Sequence, residues 1–162
     1  MNGNSYALSA KIASSFKAMS DAAVAAGESF YITSSYRSYN DQVSTYAYWV
    51  RTSGANNADT FSARPGYSEH QTGLAFDVAA SVNSKQYVLS DFNKTTRYNW
   101  LQANAADYGF IQRYYAGSES ITGYKAEEWH YRYVGVAVAK DMQKKGIKTL
   151  EEYWGVSGGN YY

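Results

Sequence analysis

Apolar side chains recur at three- and four-residue steps near the start of the chain. Leu8, Ile12, Phe16, Met19 and Ala23 fall on one helical face, which predicts an amphipathic helix over residues 6–26 ended by Gly27. Residues 29–35 alternate instead, with Phe30 and Ile32 on one side, and predict a strand. Ser38 or Asn40 then caps a second helix carrying Val43, Tyr46, Ala47 and Val50 on one face. Residues 54–66 are rich in Gly, Ala, Asn and Ser. That makes a long loop, and such loops in a small domain are often functional.

Residues 74–79 are a short apolar run interrupted by one charge, Asp77, and read as a buried strand. After a polar connection, a helix is expected over residues 95–108, closed by Gly109, and then a strand over 110–114. A surface loop over 117–125 leads to the last strand, 129–134. A helix carrying Val134, Val138 and Met142 follows, closed by Gly146. Thr149, with Glu152 three residues on, predicts a capping box for a short final helix. Residues 158–162 should form a mobile tail. Helices interspersed with few, short strands predict an α+β fold, a small sheet with helices packed around it. At 162 residues the chain is one domain with a core over about 6–154, without repeats or an internal linker.

Composition narrows the function. The chain has 15 basic and 14 acidic residues and a net charge of +1, with no basic stripe, so nucleic acid is not an expected partner. No apolar stretch reaches transmembrane length, and no signal peptide is recognisable. Cysteine is absent, which removes disulfides and thiolate metal sites. The 18 tyrosines hint at a surface suited to sugars or peptides.

The chemistry gathers around two segments. In the first, His70 and Asp77 stand seven residues apart with Gly73 between them. A carboxylate in a buried strand is costly unless something pairs with it, and a metal cation is one such partner. Imidazole nitrogen and carboxylate oxygen are ordinary zinc ligands, and two of them call for a third. The only other histidine is His130, in Glu127-Glu128-Trp129-His130. A catalytic zinc keeps three protein ligands and an open position for water, and it needs a general base nearby. Glu127 or Glu128 could serve. The plainer alternatives are hydrogen-bonded core histidines, an Asp77–arginine pair and solvated glutamates.

Ser68-Glu69-His70-Gln71-Thr72-Gly73-Leu74-Ala75-Phe76-Asp77, followed by Glu127-Glu128-Trp129-His130, resembles the zinc D-alanyl-D-alanine carboxypeptidase family. The likeness is to its VanY-type branch, which includes the LdcB L,D-carboxypeptidases. Ser34-Ser35-Tyr36-Arg37-Ser38-Tyr39 with Gln42, Gly109-Phe110-Ile111-Gln112-Arg113-Tyr114 and Thr149-Leu150-Glu151-Glu152-Tyr153 match in family order. The resemblance covers residues 6–154. It implies a small antiparallel sheet carrying a zinc ion on His70, Asp77 and His130. It implies that Glu127 is the base, Arg37 stabilises the oxyanion, Ser68 and Gln42 hold the substrate's terminal carboxylate, and Tyr114 lines the pocket. Three positions depart from the family pattern: Ser35 for glycine, and Glu128 and Tyr115 for proline. A charged Glu128 could raise the pKa of Glu127 if the two are close.

The expected activity is removal of the C-terminal D-alanine from peptidoglycan stem peptides by a monomer. The expected location is the bacterial cell wall, reached through a targeting segment no longer part of this chain. An L,D-carboxypeptidase acting on tetrapeptide stems is the alternative within the class. A catalytically inactive, zinc-bearing wall-binding module is the alternative outside it.

Overall fold

Strand β2 (Ala75–Ala79) is buried at every position, and its alternation divides the molecule into two sides. Phe76 and Val78 face the hydrophobic core, where they meet Ile12 and Met19, Leu101, Ala105, Phe110 and Tyr131. Asp77 faces the opposite way. The computed structural model describes residues 6–81 and 89–159. Its sheet runs β1 (Tyr31–Ser34), β2, β4 (Glu127–Tyr133), β3 (Phe110–Tyr114), and every neighbouring pair is antiparallel. The architecture is the expected α+β fold.

Helix α1 (Ala10–Ala25) lays Ile12, Met19 and Ala23 on the core face of the sheet. Phe16 meets Phe76 edge to face at 5.0 Å, and Phe76 meets Phe110 at 5.3 Å. Truncating so enclosed an aromatic residue typically costs about 3–5 kcal/mol. The helix starts later than its apolar period suggests, because the Ser9 hydroxyl accepts from the Lys11 amide and caps it. The preceding residues are used as backbone: Tyr36 N–H donates to the Ala7 carbonyl and Ser9 N–H to the Gly73 carbonyl.

Ser38, not Asn40, caps α2 (Tyr39–Ser53). The expected apolar face of this helix is not its buried one. Val43 and Ala47 are exposed, and the buried residue is Gln42. Gln42, Thr45 and Trp49 form a stripe at helical spacing along the wall of a cleft, so this face serves the cleft rather than the core. The long loop after α2 contains one short helix, α3 (Ala55–Ala58). The predicted loop over 117–125 likewise contains α5 (Glu119–Thr122).

Helix α4 (Thr96–Asn104), capped by Thr95, continues as a 3-10 turn, Ala105–Tyr108, where one helix was expected. Helix α6 (Val136–Lys145) buries Ala139 and Met142 and packs on that turn and on β3. Thr149 caps α7 (Leu150–Trp154), with Glu152 N–H donating to its hydroxyl. Part of the polar connection after β2 lies outside the described residues, as do residues 160–162 of the expected tail. Gly158 and Gly159 pack against Glu151 and Gly123.

Gly109, at the turn into β3, holds φ at +84°. A Cβ there would lie 2.7 Å from the Tyr133 ring and 2.9 Å from the Val136 amide nitrogen. Gly109→Ala combines left-handed strain with a clash against backbone. Each such strained residue costs about 1–3 kcal/mol, so urea unfolding should show a loss of at least that size. An unchanged midpoint would refute the tight packing of this turn.

Candidate active site

The sheet register creates the site. Asp77 on β2 stands directly opposite His130 on β4, so both side chains emerge on the face away from the core. His70 comes from a 3-10 turn, Glu69–Thr72, that leads through Gly73 into β2. All three are buried, and one donor atom from each lies within 4.8 Å of the others. His70 Nε2 is 3.4 Å from Asp77 Oδ2, and His130 Nδ1 is 3.0 Å from Asp77 Oδ1. The two imidazoles meet nearly at right angles, with ring centres 4.9 Å apart.

This donor set fits a tetrahedral cation. Ligand distances of about 2.0–2.1 Å at tetrahedral angles place neighbouring donors about 3.3 Å apart; each imidazole approaches one Asp77 oxygen at that scale, His70 to Oδ2 and His130 to Oδ1. The rings are oriented for it as well. His70 Nδ1 lies 2.8 Å from the Ser35 carbonyl oxygen, which can only accept, so the proton sits on Nδ1 and Nε2 turns its lone pair to the site. His130 faces Asp77 with Nδ1, while its Nε2 lies 3.3 Å from Glu69 Oε2.

Strand irregularities place the remaining groups. Residues three apart on a regular strand face opposite sides, yet Glu127 Oε2 approaches His130 Nδ1 to 3.7 Å. The register between β3 and β4 shifts between the Gln112–Tyr131 and Tyr114–Glu127 pairs, and such a bulge re-aims side chains. Strand β1 also bulges, between Ile32 and Ser34. Beyond it, Arg37 donates to Ser34 Oγ at 3.1 Å and to Gln42 Oε1 at 2.9 Å. Its backbone N–H donates to the His70 carbonyl, which couples Arg37 to the first imidazole.

His70, Asp77, His130, Glu127, Arg37, Ser68, Gln42 and Tyr114 all line one cleft of about 710 Å³. Within it, Gln42 stands behind Arg37. Its oxygen accepts from the guanidinium, its nitrogen donates to the Ala63 carbonyl at 2.6 Å, and it is 1% exposed. Ser68 lines the cleft, and its hydroxyl does not cap the 3-10 turn. Tyr114 tilts against His130 and Tyr124. Burial first, then the Glu69 charge, pushes its phenol well above the usual value, so it remains a neutral donor.

The carboxylates and imidazoles of the site perturb one another unequally. Burial opposes ionisation of Asp77, but the charge of His70 and the hydrogen bond from His130 outweigh it and hold the carboxyl well below its ordinary range. Burial also disfavours a charged His130, yet Asp77 and Glu69 push it up to about 10. Glu127 is pushed up to about 8, mainly by burial, then by the Asp77 and Glu69 charges, against the pull of His130 and Arg37. Glu128 is not among the causes. It turns to the other side of β4, where its Oε1 accepts from Asn93 at 3.3 Å.

Sequence reasoning missed Glu69, Arg113, Arg132 and Glu151. Glu69 Oε1 accepts from Arg113 Nε at 2.9 Å and pairs with Arg132 at 3.0 Å. Burial would raise the Glu69 pKa, but the His130 hydrogen bond and the Arg113 charge bring it down to about 2. Its place beside His70 was the available signal.

The VanY family, described as D-alanyl-D-alanine carboxypeptidase, matches residues 5–136. This chain belongs to the VanY family. Among VanY relatives, the Bacillus subtilis (strain 168) protein YodJ is 43% identical over 143 residues, 88% of this chain and 51% of YodJ. The chain spans about half the length of the curated relatives it matches. The structure of the LdcB LD-carboxypeptidase is similar with a TM-score of 0.77 at 42% identity, covering 96% of this chain and 80% of that one. A mutant of the vancomycin resistance D,D-pentapeptidase VanY, in complex with Zn(II), is similar with a TM-score of 0.80 at 33% identity, covering 94% and 86%.

Removing either imidazole leaves too few donors for a cation. His70→Ala and His130→Ala should each abolish divalent-cation binding at this site in calorimetric titration. Wild-type affinity in both variants would place the cation elsewhere.

Proposed function

We propose that this chain is a zinc-dependent carboxypeptidase that removes the C-terminal D-alanine from peptidoglycan stem peptides. The reading rests on one observation above all. Two imidazoles and a carboxylate converge on the floor of a cleft, with Glu127 beside them and Arg37 braced on the wall. His70 Nε2, Asp77 and His130 Nδ1 would hold the zinc. When bound, zinc polarises a carbonyl and makes water acidic enough to react at neutral pH.

The protein's own groups supply the rest. Glu127 accepts the proton of the attacking water and passes it to the leaving amine. Its upward shift, set mainly by burial, suits a proton carrier, and positive charge held by the three donors would favour its ionised form. Arg37, fixed by Ser34 and Gln42, points a guanidinium at the charge developing on the scissile carbonyl oxygen. Loss of one such donor typically costs about 10²–10³ in rate. Ser68 donates to the substrate's terminal carboxylate. Gln42 contributes by holding Arg37 in place, and Tyr114 offers its phenol to the bound peptide. We place this activity in the bacterial cell wall and the chain in solution as a monomer. Among the described residues, no helix is long and apolar enough to cross a membrane.

Cleavage of a D,D bond in pentapeptide stems follows the family description. A second reading, L,D cleavage of tetrapeptide stems, is favoured by the higher identity to LdcB, 42%, than to the zinc-bound VanY, 33%. A zinc-bearing module without activity would have no use for Glu127 beside the donors or for a braced Arg37.

Glu127→Gln preserves size and hydrogen bonding but cannot accept a proton. Zinc content and folding should survive while turnover falls by about 10²–10⁴. Glu128→Gln, on the other side of β4, should leave turnover close to wild type. A dead Glu128→Gln beside an active Glu127→Gln would transfer the base role to the wrong side of the strand and refute the assignment.

A further inference from the structure

Glu69 is adjacent to His70 in sequence but acts on His130. Its Oε2 lies 3.3 Å from His130 Nε2, while Arg113 and Arg132 hold its Oε1 at 2.9 and 3.0 Å. Arg113 in turn places its two terminal nitrogens on Glu151 of α7, at 2.9 and 2.6 Å. Contacts therefore run unbroken from the last helix to the candidate metal centre: Glu151, Arg113, Glu69, His130. Arg113, Glu151 and His130 are all buried.

Which imidazole nitrogen binds a cation is decided by the partner of the other one. The Ser35 carbonyl settles this for His70, leaving Nε2 free. His130 is turned the other way, with Nδ1 toward Asp77, so its remaining proton must sit on Nε2 and needs an acceptor there. Glu69 is that acceptor. A carboxylate free to rotate would turn both oxygens to the guanidiniums. With Oε1 held by two of them, Oε2 is aimed at the ring.

We propose that Glu69, locked by Arg113 and Glu151, is a positioning residue that sets His130 as an Nδ1 ligand, making α7 a working part of the metal centre. The inference rests on the zinc assignment above. Two features distinguish it from ordinary packing. The Arg113–Glu151 contact is a two-bond fork, which fixes direction as well as distance. The chain beyond α7 also closes over it: a Cβ on Gly158 would lie 2.6 Å from Glu151 Cγ and 2.9 Å from Glu151 Oε1.

The test measures zinc affinity of the full chain by competition with a chromophoric chelator. Histidine tautomers in the zinc-loaded state are read by long-range proton–nitrogen NMR correlation. Wild type should show His70 protonated at Nδ1 and His130 at Nε2. Glu69→Ala should weaken zinc by about 10–100-fold, as is typical when the partner of a ligating histidine is lost. Glu69→Gln keeps an acceptor for the Nε2 proton and should recover part of that loss. Glu151→Gln leaves every group around His130 in place, and should still weaken zinc, by a smaller factor than Glu69→Ala. It also keeps the question open to experiment if Glu69→Ala fails to fold. A zinc-loaded wild type with His130 protonated at Nδ1 would overturn the proposal. So would zinc affinities within twofold of wild type for both Glu69→Gln and Glu151→Gln. A wild type that binds no zinc overturns the metal assignment and this inference together, whereas unaffected variants beside a zinc-binding wild type overturn this inference alone.

Discussion

The structure depends on a carboxylate buried in an inner strand of its sheet. Taking an ionised group out of water carries a penalty of several kcal/mol unless its lone pairs are met. Asp77 is 7% exposed, and an imidazole stands on each side of it. One imidazole arrives by strand register and the other by the short turn that feeds β2. The backbone around that turn is held in place by the chain's first described residues and by the Ser35 and Arg37 segment. Much of the irregular geometry on this side of the sheet can be understood as delivery of groups to that one carboxylate.

The two faces of the sheet are built on different physics. Behind it, aromatic and aliphatic side chains interlock around Phe76, and non-directional burial is enough. In front, directional contacts dominate. The charges of Glu69, Arg113, Arg132 and Glu151 neutralise one another in one largely buried group, and the Gln42 amide and the two terminal nitrogens of Arg37 each have a partner. Rigid framing of this kind is what a reaction centre requires, because catalytic groups must be preorganised before the substrate arrives. Ion pairs are weak evidence for stability when buried. Here their effect is to orient side chains.

What could be read from the sequence follows the range of the forces involved. Helix α1 was legible because its apolar period reports burial directly, and β2 because one charge in an apolar run demands a partner. Helix α2 was misread: Val43 and Ala47 suggested a core face, whereas Gln42, Thr45 and Trp49 face the cleft. A periodic pattern cannot tell a cleft wall from a core. The last strand begins at Glu127, two residues before its expected start, because the bulge that admits Glu127 has no local signature. Glu69 was overlooked since its meaning lies in Arg113, 44 residues away, and beyond it in α7. The histidines and Asp77 were named from their chemistry and Glu127 and Arg37 from the family resemblance, and all five line one cleft. The bracing of Arg37 by Gln42 appears only in three dimensions.

The most direct measurement is release of free D-alanine. Zinc-loaded protein would be incubated with pentapeptide and tetrapeptide stems, each with a free or an amidated C-terminus, and the products weighed by mass spectrometry. The assignment predicts that a free-carboxylate stem loses a single terminal alanine, that chelation stops the reaction, and that amidated stems are turned over far more slowly. Buried donors left without their carboxylate partner give discrimination of this kind. Intact stems after prolonged incubation with protein shown to contain zinc would contradict it, as would internal cleavage indifferent to amidation.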